Sequence, residues 1–237
     1  MTRNDKSVHD DLWESAAQWL PVFSRAEQHA GIVLLRELAK GEAVTCSRMA
    51  QALGTTFGAA EALMKDSALH PFIHTDGGDR IVGFWGLSVV PTHHQICADG
   101  RKVWTWCAYD SLFLPELLGE TVEIESHDPE SNELIRLTVS PDRIISREPA
   151  HVVVSMGRPD AWDQSSAARI IATACHHIFF FVSRASGERW QAKHAEPATL
   201  LLPLDVGFDF GKRSNAHLFQ AELARRRKAP DLYPALP

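Results

Sequence analysis

The hydrophobic period changes near residue 81, and that change narrows what this chain can fold into. Upstream, apolar residues recur at helical spacing. Leu12, Trp13, Ala16, Trp19 and Leu20 run up to Pro21, and Ile32, Leu34, Leu35 and Leu38 run up to Lys40-Gly41. Two short helices follow, from Val44 through Met49 and Leu53, and from Thr56 to Lys65. Downstream, the runs are short and β-rich: Ile81–Val90, Lys102–Trp106, Thr121–Ser126, Leu134–Val139 and His151–Met156. Turn chemistry such as Ala98-Asp99-Gly100 and Asp128-Pro129-Glu130-Ser131-Asn132 separates them, and short turns favour antiparallel pairing. Helical spacing returns at Ser165–Thr173 and leads into an apolar strand at Ile178–Val182. Helices around Gly187–His194 and Asn215–Arg227 follow. The predicted class is α+β: an N-terminal three-helix, winged-helix-like lobe (1–80) packed on antiparallel β-sheets with flanking helices (81–237).

A winged-helix unit invites a nucleic-acid reading, and its charges oppose one. Residues 30–80 carry Arg36, Lys40, Arg48, Lys65 and Arg80 against Glu37, Glu42, Glu61, Asp66, Asp76 and Asp79. A face that docks on phosphate needs net positive charge, and the whole chain carries −6. A structural role for the lobe is therefore expected, with no nucleic-acid partner. No apolar run approaches the roughly 20 residues that span a bilayer, and Met1–Asp11 has no apolar signal core. The expectation is a globular protein of the cytoplasm, with no membrane partner.

In that compartment the four cysteines, Cys46, Cys97, Cys107 and Cys175, should be reduced thiols, and none forms a C-x-x-C pair. Trp104-Thr105-Trp106-Cys107-Ala108-Tyr109-Asp110 reads as a strand ending at a cysteine, followed by a helix at Asp110–Leu118. A cysteine in the first helical turn gains thiolate character, and a carboxyl three residues on shares its face. Two such groups tend to hold one proton between them. Spacing alone leaves a second reading open, with Cys107 a small buried hydrophobe and Asp110 a helix-start carboxylate. Ala174-Cys175-His176-His177 likewise reads either as a core thiol with satisfied histidines or as chemistry. A zinc site from Cys107, Asp110, Cys175 and His176 is disfavoured, because neighbours on a strand point to opposite faces.

Taken together, these stretches resemble the organomercurial lyase (alkylmercury lyase) family of bacterial mercury resistance. The resemblance spans roughly Ile32 to Leu223. It rests on Leu34-Leu35-Arg36-Glu37-Leu38-Ala39-Lys40-Gly41 and on Trp106-Cys107-Ala108-x-Asp110 with Pro115 and Gly119. It continues through Leu137-Thr138-Val139-Ser140-Pro141, Cys175-His176-His177 with its Phe cluster, Trp190-x-x-Lys193-His194 and Asn215-x-His217-Leu218. It implies a catalytic set of Cys107, Asp110 and Cys175, the same residues that would hold Hg(II). Some family members have cysteine where this chain has Asp128 or His176, positions outside that set. The residues before about Arg25 and the Pro-rich tail after Lys228 have no clear counterpart.

The implied reaction is detoxifying protonolysis of a carbon–mercury bond, giving a hydrocarbon and Hg(II). Mercury(II) is soft and selects thiolates. Cys107 would displace the small thiol carrying the organomercurial and pass its proton to Asp110. Cys175 would complete a two-thiolate clamp, and Asp110 would protonate carbon as general acid. Trp104, Trp106, Phe179 and Phe181 are candidates for an apolar wall around the organic group. Low-molecular-weight thiols are the implied co-substrate and mercuric reductase the implied recipient of Hg(II). No organic cofactor is expected, since no phosphate-loop or G-x-G-x-x-G pattern occurs. Two other readings use the same thiols without turnover: a soft-metal or mercury sensor, and a non-catalytic metal-binding homologue.

Overall fold

A computed structural model describes residues 10–11, 13–18, 20–157, 162–194 and 199–228. Leu12, Trp19, the first nine residues and the tail after Lys228 lie outside the described residues. The helical lobe comprises α1 (Arg25–Leu38), α2 (Cys46–Leu53) and α3 (Phe57–Lys65). Each begins where a hydroxyl can satisfy its free amides. Ser24 and Glu27 form a reciprocal capping box on α1, while Thr45 and Thr56 cap α2 and α3. The apolar stripe of α1 buries Ile32, Leu34, Leu35 and Leu38. Lys40 and Arg48 both bond Glu37, Lys65 bonds Glu61, and Arg80 bonds Asp76.

β1 (Ile73–Thr75) and β2 (Ile81–Phe84) form the wing, and they also begin the main sheet. That sheet is antiparallel and eight-stranded, in the order β1-β2-β3-β5-β4-β6-β7-β8. The remaining members are β3 (Leu87–Ser88), β4 (His94–Ala98), β5 (Arg101–Thr105), β6 (Val122–His127), β7 (Leu134–Val139) and β8 (Ile144–Glu148). Asp99-Gly100 closes the β4–β5 hairpin with both residues at positive φ, the geometry that matches strand twist. Along β6, Val122, Ile124 and Ser126 face inward while Glu123, Glu125 and His127 face solvent. Asp128 is fully buried. Its Oδ1 accepts the Glu130 and Ser131 amides, and its Oδ2 accepts the Val182 amide at 2.9 Å. This position therefore anchors a loop.

The second sheet has the order β10-β9-β11, from β9 (Val153–Gly157), β10 (Phe180–Phe181) and β11 (Thr199–Pro203). Packed around both sheets are α4 (Asp110–Leu118), α5 (Ala167–Thr173), α6 (Arg184–Lys193), α7 (Leu204–Leu218) and α8 (Gln220–Lys228). The class is α+β, and one apolar core runs from Ala16 to Leu223. Among the described residues, no helix is long and apolar enough to cross a membrane.

Several boundaries differ from the sequence reading. Ile81–Val90 is two strands, because Trp85 and Gly86 turn the chain between β2 and β3. The apolar run at Ile178–Val182 contributes only the two-residue β10. Strands β1, β4, β8 and β11 are additional. The C-terminal helix is two helices meeting at Phe219, and the first starts at Leu204 rather than near Asn215. Val206, Phe208 and Phe210 alternate in a strand-like way, but Gly207 and Gly211 let a helix pack closely here. A Cβ at Gly207 would meet Val154 at 2.9 Å, and one at Gly211 would meet Phe113 at 2.7 Å.

Candidate active site

Cys107 lies between the end of β5 and the start of α4, in a bend fixed on three sides. The Trp106 amide donates to Gly86 O at 2.8 Å, and the Thr105 hydroxyl donates to Cys107 O at 2.8 Å. The Ala108 amide donates to Ile178 O at 3.2 Å, which staples this bend to the segment carrying Cys175. Cys175 opens a single 3-10 turn, Cys175–His177, after α5. It does not open a strand, so the argument from alternating strand faces does not apply to it. The turn buries Cys175 and leaves His176 exposed.

The two thiols and Asp110 come together. The Sγ atoms of Cys107 and Cys175 and a carboxylate oxygen of Asp110 all lie within 4.8 Å of one another, and all three residues are buried. No histidine joins this cluster among the described residues. The Cys107 amide donates to Asp110 Oδ2 at 2.9 Å.

Burial governs the ionisation of the trio. It pushes the Asp110 carboxyl up to about 7, against the Cys107 hydrogen bonds that favour the carboxylate. It pushes the Cys107 thiol well above its ordinary value, reinforced by the bond to Cys175 and the Asp110 charge. At Cys175 the bond from Cys107 favours the thiolate, but burial and Asp110 outweigh it and the thiol is again raised. The expected thiolate assistance from a helix N-terminus is therefore overridden. Cys107 sits two residues before the Tyr109 cap, outside the first turn. Both thiols rest protonated beside a carboxyl that exchanges its proton near neutrality.

The trio opens onto an apolar cavity of about 110 Å³ that is partly open to solvent. Trp106 lines it as expected; Trp104, Phe179 and Phe181 do not. Trp104 sits between inward-facing Val103 and Thr105, so its side chain leaves by the opposite face of the sheet. Phe181 packs with Val153, Trp190 and Leu201 in a separate cluster, and Phe179 lies against it. The wall is built instead from Phe72, Trp85, Tyr109, Phe113, Trp162, Ile170, Ile178 and Phe210, with Ala16 and Leu20 of the N-terminal segment closing one side. Tyr109 and Phe113 were readable, since they stand four apart on the helix that carries Asp110. Trp85 and Phe210 had no signal in the local sequence.

Comparison with known proteins gives the family. Residues 87–215 match the family model for alkylmercury lyase. The chain belongs to the alkylmercury lyase family. It is 39% identical to the alkylmercury lyase of Bacillus cereus over 180 residues, covering 76% of this chain and 77% of that one. It is 33% identical to the alkylmercury lyase of Pseudomonas putida over 209 residues, covering 87% and 92%. Against the crystal structure of the mercury-bound form of MerB2, the TM-score is 0.66 at 25% identity, over 89% of this chain and 97% of the other. Cys107, Asp110 and Cys175 all fall within the span matched by the family model.

Proposed function

We propose that this protein is an organomercurial lyase whose reaction is carried by Cys107, Asp110 and Cys175. The observation that supports this most directly is two buried thiols and a carboxyl of raised pKa converging at one end of an apolar cavity. Thiols supply the soft ligands that mercury selects. The apolar wall receives the organic group and keeps water from the reacting carbon.

Substrate enters as R–Hg–SR′, carried on a small thiol. Cys107 Sγ bonds mercury as its proton passes to the Asp110 carboxylate, and R′S⁻ departs. Cys175 Sγ then adds to mercury, and its proton leaves with R′S⁻ as R′SH. With two sulfurs bound, negative charge loads onto the alkyl or aryl carbon. Protonated Asp110 gives its proton to that carbon as the carbon–mercury bond breaks. The products are R–H, R′SH and Hg(II) held by two thiolates, with no net oxidation or reduction. No organic cofactor takes part. Cellular thiols complete the cycle by accepting Hg(II) for hand-off to a mercuric reductase, a cycle that suits a protein of the cytoplasm.

Headspace gas chromatography of the protein with phenylmercury and excess small thiol tests this reading. Catalytic benzene release is expected from wild type and from Cys46→Ala and Cys97→Ala, whose thiols lie outside the trio. Cys107→Ser and Cys175→Ser should lose nearly all turnover, and Asp110→Ala should bind organomercurial while releasing almost no benzene. Wild type that holds one mercury per chain and releases no benzene would overturn the lyase reading in favour of a binding protein.

A further inference from the structure

The N-terminal strands touch the reacting carboxyl through a two-residue turn, Trp85-Gly86, between β2 and β3. Both residues have positive φ, +48 and +88 respectively. That conformation is ordinary for glycine and unfavourable for a bulky aromatic, so surrounding contacts must impose it on Trp85. Those contacts are present. The Trp85 ring lies 4.6 Å from that of Phe72, 5.7 Å from Phe23 and 6.1 Å from Phe219, and its amide donates to Phe72 O at 3.3 Å.

Gly86 is pressed against Asp110. A Cβ built on it would fall 2.5 Å from Asp110 Cγ and 2.7 Å from both Cβ and Oδ1. The carboxylate cannot easily swing aside, because Asp110 is short, buried and bonded through Oδ2 to the Cys107 amide, and its Cβ is itself within 2.7 Å. The Gly86 carbonyl also accepts the Trp106 amide at 2.8 Å, which fixes the bend that carries Cys107. One turn therefore bounds the carboxyl on one side and orients the neighbour of the first thiol.

We propose that the Trp85-Gly86 turn positions the proton donor. The absent side chain of Gly86 sets where the Asp110 carboxyl stands relative to the two thiols, and Trp85 holds the turn in its left-handed form. The inference rests on the lyase reading of the site and adds a division of labour. Mercury capture depends on two sulfurs, of which Cys175 has no bond to Gly86 and Cys107 is reached only through the Trp106 amide, whereas proton delivery depends on the carboxyl that Gly86 bounds directly. Proton transfer to carbon tolerates little displacement, and about 1 Å of misplacement can lower turnover about 100-fold.

Gly86→Ala tests this, with Gly100→Ala as control. Gly100 has φ +74 and nothing within 4 Å of a built Cβ, so it carries the backbone penalty without the neighbour. Three quantities are read: benzene release from phenylmercury, Hg(II) bound per chain, and hydrogen exchange of the Cys107 amide. For Gly86→Ala the expected result is one Hg(II) per chain, KM within a few-fold of wild type and kcat about 100-fold lower. Its Cys107 amide should exchange about tenfold faster, because the bond to Asp110 is disturbed. Gly100→Ala should match wild type in all three. Trp85→Leu keeps Gly86 and should shift kcat and exchange in the same direction by less, which covers the case in which Gly86→Ala does not fold.

Gly86→Ala with kcat and Cys107 exchange within twofold of Gly100→Ala would overturn the inference. So would joint loss of Hg(II) binding and turnover, which is the mark of a general structural role. Wild type that releases no benzene, with Cys107 exchange still responding to Gly86→Ala alone, would remove the lyase reading and support the hold of the turn on Asp110.

Discussion

The Asp110 carboxyl sits between two protonated thiols and the wall of an apolar cavity, so ionising it places a charge where water cannot follow. Its pKa rises from 3.8 to about 7, with burial the leading cause. The consequence for stability has a definite sign. Between those two values the folded chain holds a proton that the unfolded chain has lost, so stability falls as pH rises. The favourable contribution is complete below about pH 4 and is lost as pH passes through about 7. Asp110→Asn keeps an acceptor for the Cys107 amide and never ionises. Thermal melts should show its Tm a few degrees above wild type at pH 8, with the gap closing toward pH 5. An equal gap at both values would mean that carboxylate burial does not set this dependence. The protonated form favoured by burial is also the one that the proposed reaction needs as an acid.

The helix carrying Asp110 shows how an element fixes such a residue. All nine residues of α4 are buried, so its terminal carbonyls cannot turn to water. Gly119 adopts the left-handed C-cap, with its amide on Pro115 O, and the Arg226 guanidinium from α8 bonds the carbonyls of Glu116 and Leu117. Arg226→Ala should lower stability by about 1.5–3 kcal/mol, the usual range for charged hydrogen bonds left unmade. Denaturant unfolding measures it, and Arg226→Lys should recover only part, since a single ammonium lacks the planar fork that meets two carbonyls. The start of α4 after Cys107 and its end at Gly119 were legible, because a cysteine–aspartate spacing and a glycine stop are local signals. The start of α7 was not. Its glycines look like helix breakers until Phe113 and Val154 occupy the space that they leave. The length of β10 was overestimated for the opposite reason: a five-residue apolar run looks like a strand, and only Phe180 and Phe181 pair.

Across the whole molecule, the cavity is closed by a segment distant in sequence. Ala16 and Leu20 line it, and the helical stretch before them is pinned to α7. The Arg213 guanidinium lies 4.5 Å from the Trp13 ring and bonds Asp10 at 3.2 Å, while Trp13 meets Phe210 and His217 edge-on. This segment forms one side of the approach to the buried thiols. Trp13→Ala should speed modification of Cys107 and Cys175 by an aromatic disulfide several-fold, with the circular dichroism spectrum unchanged. An unchanged rate would place the entrance elsewhere. The same closure explains why a chain with only 8% aromatic residues has a strongly aromatic site. Its rings come from Phe72 and Trp85 around β1 and β2, Trp106, Tyr109 and Phe113 before and within α4, Trp162 before α5, and Phe210 of α7.

By itself the sequence determined the α+β class and the helical lobe ahead of antiparallel strands, while Cys107, Asp110 and Cys175 were singled out by family resemblance. Each of these is written in short-range pattern or in residue type at fixed spacing. Period 3.6 and period 2 are local, and a thiol as soft ligand and a carboxyl as proton donor are legible from residue type. Tertiary structure decided the rest. It turned Trp104 and Phe181 away from the cavity, brought Trp85 and Phe210 into it, and buried Cys107 deeply enough that its thiol rests protonated instead of ionised. It also set Gly86 against Asp110, 24 positions away by the numbering. Which way a side chain faces, and how much water its charge retains, depend on what packs across from it, and that partner is seldom a neighbour in the chain.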